Sequence, residues 1–296
     1  MAREYLDSAE VSVIIHHAPC LDGLSAAAVC PHNVTYIGFN PNVHKVATHP
    51  DINNLPGEQS IVFFDCAPHT VDELLQLRTK HKRVMIVDHH IGSQRIFENV
   101  EGCFFRMDKA GCVLAWEYFR DTDEMPEILV HIGDRDLGKF NETNRLIGYA
   151  LMDMNIRTVA SMRSLVFLDS VMASLVTGGQ MIVERIERLK RDTPVFFGEL
   201  SGHRFVYAQL DSYQFVSELA EYLYTKYDVA FTVLYYYENG KWKFSLRTNK
   251  DEVDVSLIAK EHFNGNGHKR AAGGALDAIP DFISPCTSGQ QAPPVE

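Results

Sequence analysis

The chain of 296 residues is 46% hydrophobic and 23% charged, the composition of a globular protein long enough for two cores. No run approaches the roughly 18 apolar residues of a membrane helix, and the start, MAREYLDSAEVSV, lacks the basic-then-apolar layout of a secretory signal, so no membrane association is expected. Cysteines 20, 30, 66, 103, 112 and 286 show no C-x-x-C spacing and the net charge is −11, which point to a cytoplasmic chain with reduced thiols, no structural zinc and no grip on long duplex nucleic acid.

Along the chain, SVIIHHAPCLDG (12–23) is an apolar run that ends in His16 and His17, with Asp22 just beyond. SIVFFDCAP (60–68) ends its apolar run in Asp65, and VMIVDHHIG (84–92) ends its run in Asp88-His89-His90. One such ending is an ordinary return to water; three of them are a pattern. Runs of Val, Ile and Phe this short read as strands buried on both faces, as in a parallel sheet. HTVDELLQLRTKHKR, between the second and third runs, has its apolar residues at helical spacing, which makes a βαβ unit. Parallel sheets bind ligands beyond the carboxyl ends of their strands, so these acids and histidines are expected on one rim. Crowded carboxylates repel, and a divalent cation removes the repulsion. Mixed imidazole and carboxylate donors suit Mn²⁺, Zn²⁺ or Fe²⁺ better than Ca²⁺. Their number exceeds the needs of one ion and points to a pair bridged by a carboxylate, an arrangement suited to phosphoryl transfer. No P-loop occurs.

Further on, AGCVLAWEYFR (110–120) and EMPEILVHIGDRDL (124–137) read as helices, the second ending in Asp134-Arg135-Asp136 near the same rim. The stretch 141–192 is helical throughout, broken at Gly178-Gly179, and reads as a connector between a catalytic domain (1–140) and a second domain (193–280). That second domain is an α+β unit with a strand meander and an ENGK hairpin turn. The polar, Pro-rich stretch 281–296 reads as a disordered tail. In NGNGHKRAAGGAL (264–276), Gly265 and Gly267 let backbone amides approach an anion, and His268, Lys269 and Arg270 add charge before a tightly packed helix start. This is a candidate phosphate cradle, with Arg247 of FSLRT as a further anion ligand.

VDHH, FFDCAP, SLRT…DVSLIA and NGNGHKRAAGG, in this order, resemble the motifs of the DHH phosphoesterase superfamily with its DHH-associated C-terminal domain, over about residues 10–278. The resemblance implies an α/β fold: a parallel-sheet N-terminal domain, a smaller α+β C-terminal domain, and a site in the cleft between them. It also implies two divalent ions, foremost Mn²⁺ with Mg²⁺, Zn²⁺ or Co²⁺ as alternatives, and a metal-activated hydroxide. By position, His16 or its rival His17, Asp22, Asp65 as the bridge, His89, and Asp134 or its rival Asp136 correspond to metal ligands. His90 would hold the scissile phosphate with Asp88 in support, and Arg247 and His268 would bind the far end of the substrate. One departure stands out: the first motif carries Cys20 where the family has an acid, so a soft thiolate would ligate one ion. The implied function is hydrolysis of short oligonucleotides or dinucleotides to 5′-mononucleotides. A phosphomonoesterase acting on 3′-phosphoadenosine 5′-phosphate, a polyphosphatase, and a non-catalytic nucleotide-binding module are the alternatives. A processive RecJ-type nuclease is disfavoured by the acidic charge, and a homodimer is left open.

Overall fold

The computed structural model describes residues 2–120, 124–168 and 170–283. The chain divides into two units, the first up to Ile182 and the second from Val183. Among the described residues, no single helix is long and apolar enough to cross a membrane.

The first unit opens with α1 (Ala2–Tyr5), β1 (Val13–His17), α2 (Leu21–Val29), β2 (Thr35–Phe39) and α3 (Pro50–Asn53). It continues through β3 (Ser60–Phe64), α4 (Val71–Lys80), β4 (Arg83–Asp88), α5 (Ile91–Phe97) and β5 (Cys103–Phe105). The five strands form one parallel sheet in the order β2-β1-β3-β4-β5. The unbroken apolar runs follow from burial of both faces. Ile14, Val62, Phe64, Met85 and Val87 pack into one core, while the intervening Val13, Ile15, Ile61, Phe63, Val84 and Ile86 pack into the other, the two-residue period of a strand. Strands β2 and β3 lie on opposite sides of β1, so the direction of winding reverses there. The rim beyond β1 and β3 is a topological switch point, where such sheets hold their ligands. Neither β2 nor β5 was expected: β2 is a half-exposed edge strand containing Gly38, and β5 has three residues.

Then follow α6 (Gly111–Arg120), α7 (Glu127–Asp136), α8 (Glu142–Asp153), α9 (Val159–Val166) and α10 (Val171–Asp192). The reading of 141–192 as a connector is corrected here. Ile147, Leu151, Met162, Val166, Val171 and Leu175 share the core of Ile14 and Phe64, because α8, α9 and the start of α10 each carry an apolar stripe that must be covered. Arg163 of α9 donates to the carbonyls of Ala28 (2.7 Å) and Cys30 (2.8 Å), closing the end of α2. Nor does Gly178-Gly179 break α10. A Cβ on Gly179 would lie 2.2 Å from the Leu146 carbonyl oxygen, so glycine is needed there for the approach of α10 to α8.

The second unit contains β6 (Phe196–Leu200), β7 (His203–Gln209), α11 (Val216–Tyr227), β8 (Phe231–Glu238) and β9 (Lys241–Arg247). It ends with α12 (Val255–His262), β10 (Asn266–His268) and β11 (Ala271–Leu276). Its sheet runs β10-β11-β9-β8-β7-β6. It is not a pure meander, since β7 and β8 pair in parallel across α11. Asn239 and Gly240 both have positive φ (51° and 79°) in the turn between β8 and β9, as the ENGK signal demands. The Gly-rich segment is a β-hairpin rather than a helix start. Gly265 and Gly274 pass so close to backbone carbonyls of Gly273 and Phe263 that a Cβ would lie 2.2 and 2.1 Å from them. Asp281, Phe282 and Ile283, expected in the tail, belong to the fold: Ile283 is fully buried. The remainder, 284–296 with Cys286, lies outside the described residues.

Candidate metal centre

The sheet delivers its strand ends to one place. His17 closes β1, Asp65 follows β3, and Asp88 closes β4 ahead of His89 and His90. Asp65 adopts φ 60°, a left-handed backbone costly for a residue other than glycine, and this turn aims its buried carboxylate into the rim. Its two oxygens face different neighbours. Oδ2 lies 3.4 Å from His17 Nδ1, and Oδ1 lies 3.0 Å from His89 Nε2. Beyond His17 stands Cys20, in a group of donors formed by His17, Cys20 and Asp65. Beyond His89 stand Asp22 and Asp136, with His89 Nε2 at 3.6 Å from Asp22 Oδ2 and 3.3 Å from Asp136 Oδ2.

Asp22 is buried and held by the start of α6: Gly111 N–H donates to its Oδ2 (2.7 Å) and Cys112 N–H to its Oδ1 (2.9 Å). Unpaired amides at a helix start favour an anion. A Cβ on Gly111 would lie 2.5 Å from that of Asp65, so only glycine lets α6 come this close. Asp88 is fully buried, and its Oδ1 accepts from His90 Nδ1 (2.7 Å) and from the amides of His89 (2.7 Å) and His90 (3.3 Å). It fixes the His90 ring, whose side chain is 48% exposed, at the edge of the cluster.

The electrostatics show too many acids for the positive charge at hand. Burial, then the neighbouring Asp65 and Asp136, push the Asp22 carboxyl up to about 8. Burial and Asp65 likewise raise Asp136. Burial and Asp65 push the Cys20 thiol up to about 12. Burial works against the Asp65 carboxylate, but the adjacent His17 ring and the hydrogen bond with His89 outweigh it and hold the group below the usual range. The hydrogen bond to Asp88 raises His90 to about 9. His17 Nδ1, Asp65 Oδ2 and Asp88 Oδ2 are buried with no hydrogen-bond partner among the described residues. Orphaned acceptors on Asp and His, converging with the Cys20 thiol, are a donor set that fits divalent transition metals.

The two rivalries in the sequence resolve geometrically. His17 joins the cluster, whereas His16 points to the other side of β1: it is buried, its Nδ1 lies 3.1 Å from the His17 carbonyl, and it lines a cavity of about 450 Å³ that Cys20 also borders. Asp136 joins the cluster, whereas Asp134 lies 4.0 Å from Lys139 and outside it. In the second unit, Arg247 stands opposite Ala271, and Ala271 opposite His268. Directly opposed residues of antiparallel strands share a face, so Arg247 and His268 flank one small side chain. Arg247 Nη1 donates to the Leu246 carbonyl (2.9 Å), Lys269 and His268 are exposed, and Arg270 is paired with Asp251 at 2.5 Å. Gly267, at φ 153°, would put a Cβ 2.5 Å from Ala272 Cα, so Gly267, like Gly265, serves the close hairpin. The sequence reading missed the amides of Gly111 and Cys112; the signal was the small Ala110-Gly111 pair opening a helix.

The family model described as "DHH family, N-terminal domain" matches residues 10–138, and that described as "DHHA1 domain" matches residues 203–285. Uncharacterized protein R106 of Acanthamoeba polyphaga mimivirus is 23% identical over 296 residues, spanning 91% of this chain and 68% of that protein. Among solved structures, the pGpG-specific phosphodiesterase PggH from Vibrio cholerae aligns with a TM-score of 0.50 at 11% identity, over 90% of this chain and 93% of that one. RecJ from Thermus thermophilus, solved with Mg²⁺, aligns with a TM-score of 0.39 at 15% identity, over 93% of this chain and 48% of that one.

Proposed function

We propose that this chain, which belongs to the DHH phosphoesterase superfamily and is a metal-dependent phosphoesterase, hydrolyses dinucleotides or short oligonucleotides to 5′-mononucleotides. The observation that carries the reading is Asp65, whose two oxygens face two different donor sets. His17, Cys20 and Asp65 would hold one divalent ion, and Asp22, His89 and Asp136 with Asp65 the other. Mn²⁺ is the first candidate, because imidazole and carboxylate donors dominate. Such ions, when bound, supply charge neutralisation at phosphoryl oxygens and acidify water.

The chain's own groups do the rest. His90, held by Asp88 and raised to about 9, is charged at neutral pH and donates a hydrogen bond to a phosphoryl oxygen of the substrate. Asp88, itself fully buried, orients that ring and keeps its proton in place. Asp22 is kept in register by the α6 amides. Arg247 and His268, on one face of the second unit's sheet, are its proposed anion ligands, and the net charge of −11 favours a short anion over a long polymer. A protein of this fold acts on pGpG, which makes a dinucleotide the first substrate to try.

The test is a ladder of oligoribonucleotides from two to about twenty units, with Mn²⁺ and with chelator. Metal-dependent turnover is expected to be fastest for the shortest members, with 5′-mononucleotide as product. Turnover confined to 3′-phosphoadenosine 5′-phosphate or polyphosphate would replace the substrate assignment. Absence of any metal-dependent turnover, bis(p-nitrophenyl) phosphate included, would favour a nucleotide-binding module.

A further inference from the structure

We infer that the cavity between α7 and α8, beside the metal cluster, is a mononucleotide subsite in which Arg135 binds the phosphate. This inference rests on the nucleotide reading given above. The cavity measures about 350 Å³ and opens beside Asp22 and Asp136. That is the small end of the range for ligand sites, on the order of 300–1,000 Å³, and suits a single nucleotide. Its floor is apolar, made by the buried Ile132, Ile147 and Leu151. Its polar lining divides between Cys20, Asp22 and Asp136 on the side of the metal cluster and His131, Arg135 and Asn144 of α7 and α8.

Arg135 supplies the first binding group. It sits between the acids of α7, yet it forms no ion pair among the described residues. Its contacts are Met152 Sδ at 3.8 Å and the open face of Gly148, where a Cβ would lie 2.4 Å from Nη1. Glycine at 148 therefore lets the guanidinium lie flat on α8 at the cavity wall. A half-buried guanidinium without a carboxylate, one residue from a proposed metal ligand, is a fork of donors suited to phosphate oxygens. His131, one turn before Arg135 on α7, supplies the second group. Its Nδ1 is buried and without a partner among the described residues, and its Nε2 lies 3.4 Å from Glu127. Phe140, 68% exposed at the cavity mouth, offers a ring face on which a base can stack.

The experiment is calorimetric titration of the Mn²⁺-loaded full chain with AMP, adenosine and inorganic phosphate, with metal content measured for every variant. Arg135→Gln should weaken AMP about ten- to a hundredfold, the scale of one charge-assisted hydrogen bond, and leave adenosine unchanged. Arg135→Lys should recover part of the loss. Phe140→Ala should weaken AMP and adenosine together and leave phosphate alone. AMP affinity indifferent to Arg135→Gln, or lost only in step with metal content, would overturn the inference. So would AMP binding no tighter than phosphate with no effect of Phe140→Ala. Wild-type dinucleotide turnover, assayed in parallel, separates the two readings. Turnover with Arg135-independent AMP binding overturns the subsite alone; Arg135-dependent AMP binding without turnover overturns the substrate assignment alone.

Discussion

Each oxygen of Asp65 faces a different group of donors, so removing that side chain takes a ligand from both groups at once. Asp65→Ala is expected to lose both ions and all turnover; near two equivalents of metal retained in that variant would sink the bridging assignment. Cys20 tests the softer side of the site. Cys20→Ser should weaken one ion more than the other, and Cys20→Asp should restore or raise Mn²⁺ activity; identical metal titrations for the three proteins would leave the thiol a packing group. Protonation gives a third test. Asp22 titrates near 8 in the folded chain against an ordinary 3.8, and His90 near 9 against 6.5. Both values are raised, so the stability these groups contribute is full at low pH and is lost as pH climbs toward them. Chelator-treated protein should therefore melt at falling temperatures from about pH 5 to about pH 8, and Mn²⁺ should flatten that slope. Metal binding should also tighten over this range and release protons, because Asp22 must ionise to ligate. Proton release near zero in buffers of different ionisation enthalpy would contradict the assignment of Asp22.

Among the elements, α2, α6 and α10 owe their positions to small residues. Helix α2 is buried almost along its length, from Asp22 to Val29, and its Ser25-Ala26-Ala27-Ala28 run lets α6 and α9 pack against it. Gly111 admits α6 to the metal cluster, and Gly179 admits α10 to α8. Gly179→Ala separates two opposed effects. In an ordinary helix the change stabilises by about 1 kcal/mol. Here the added Cβ meets the Leu146 backbone at 2.2 Å, which cannot move without shifting α8, so a net loss of about 1–3 kcal/mol is expected. Thermal unfolding reads it as a fall of roughly 2–4 °C per kcal/mol. A rise in melting temperature would mean that the helices relax around the methyl group.

At the scale of the whole molecule, the proposed recognition role of Arg247 and His268, which flank Ala271 on one face of the second sheet, has its own test. His268→Ala should lower kcat/KM for a dinucleotide about ten- to a hundredfold and spare bis(p-nitrophenyl) phosphate, which lacks the remote part. Equal loss on both substrates would return His268 to a role in the hairpin.

The sequence by itself determined the parallel sheet, the family and the donor types at the rim. Those features are written locally: an apolar run ending in Asp or His states both a buried strand and a polar strand end. Tertiary structure alone decided which of two neighbours reaches the site. His16 and His17 are adjacent on a strand and must point to opposite faces, and pairing with β3 decided that His17 meets Asp65. Asp134 and Asp136 are two residues apart on a helix, roughly 200° around its axis, so only one can face His89, and the packing of α7 selected Asp136. The glycines of 264–274 read as an anion cradle before a helix start, whereas in the fold they admit the protein's own backbone from another strand or loop, which spacing along the chain does not report. The 141–192 helices read as a linker because their partners, Ile14 and Phe64 among them, are over 70 residues away in the chain. Spacing along a chain reports what a residue can bury; which surface covers it is a property of the folded whole.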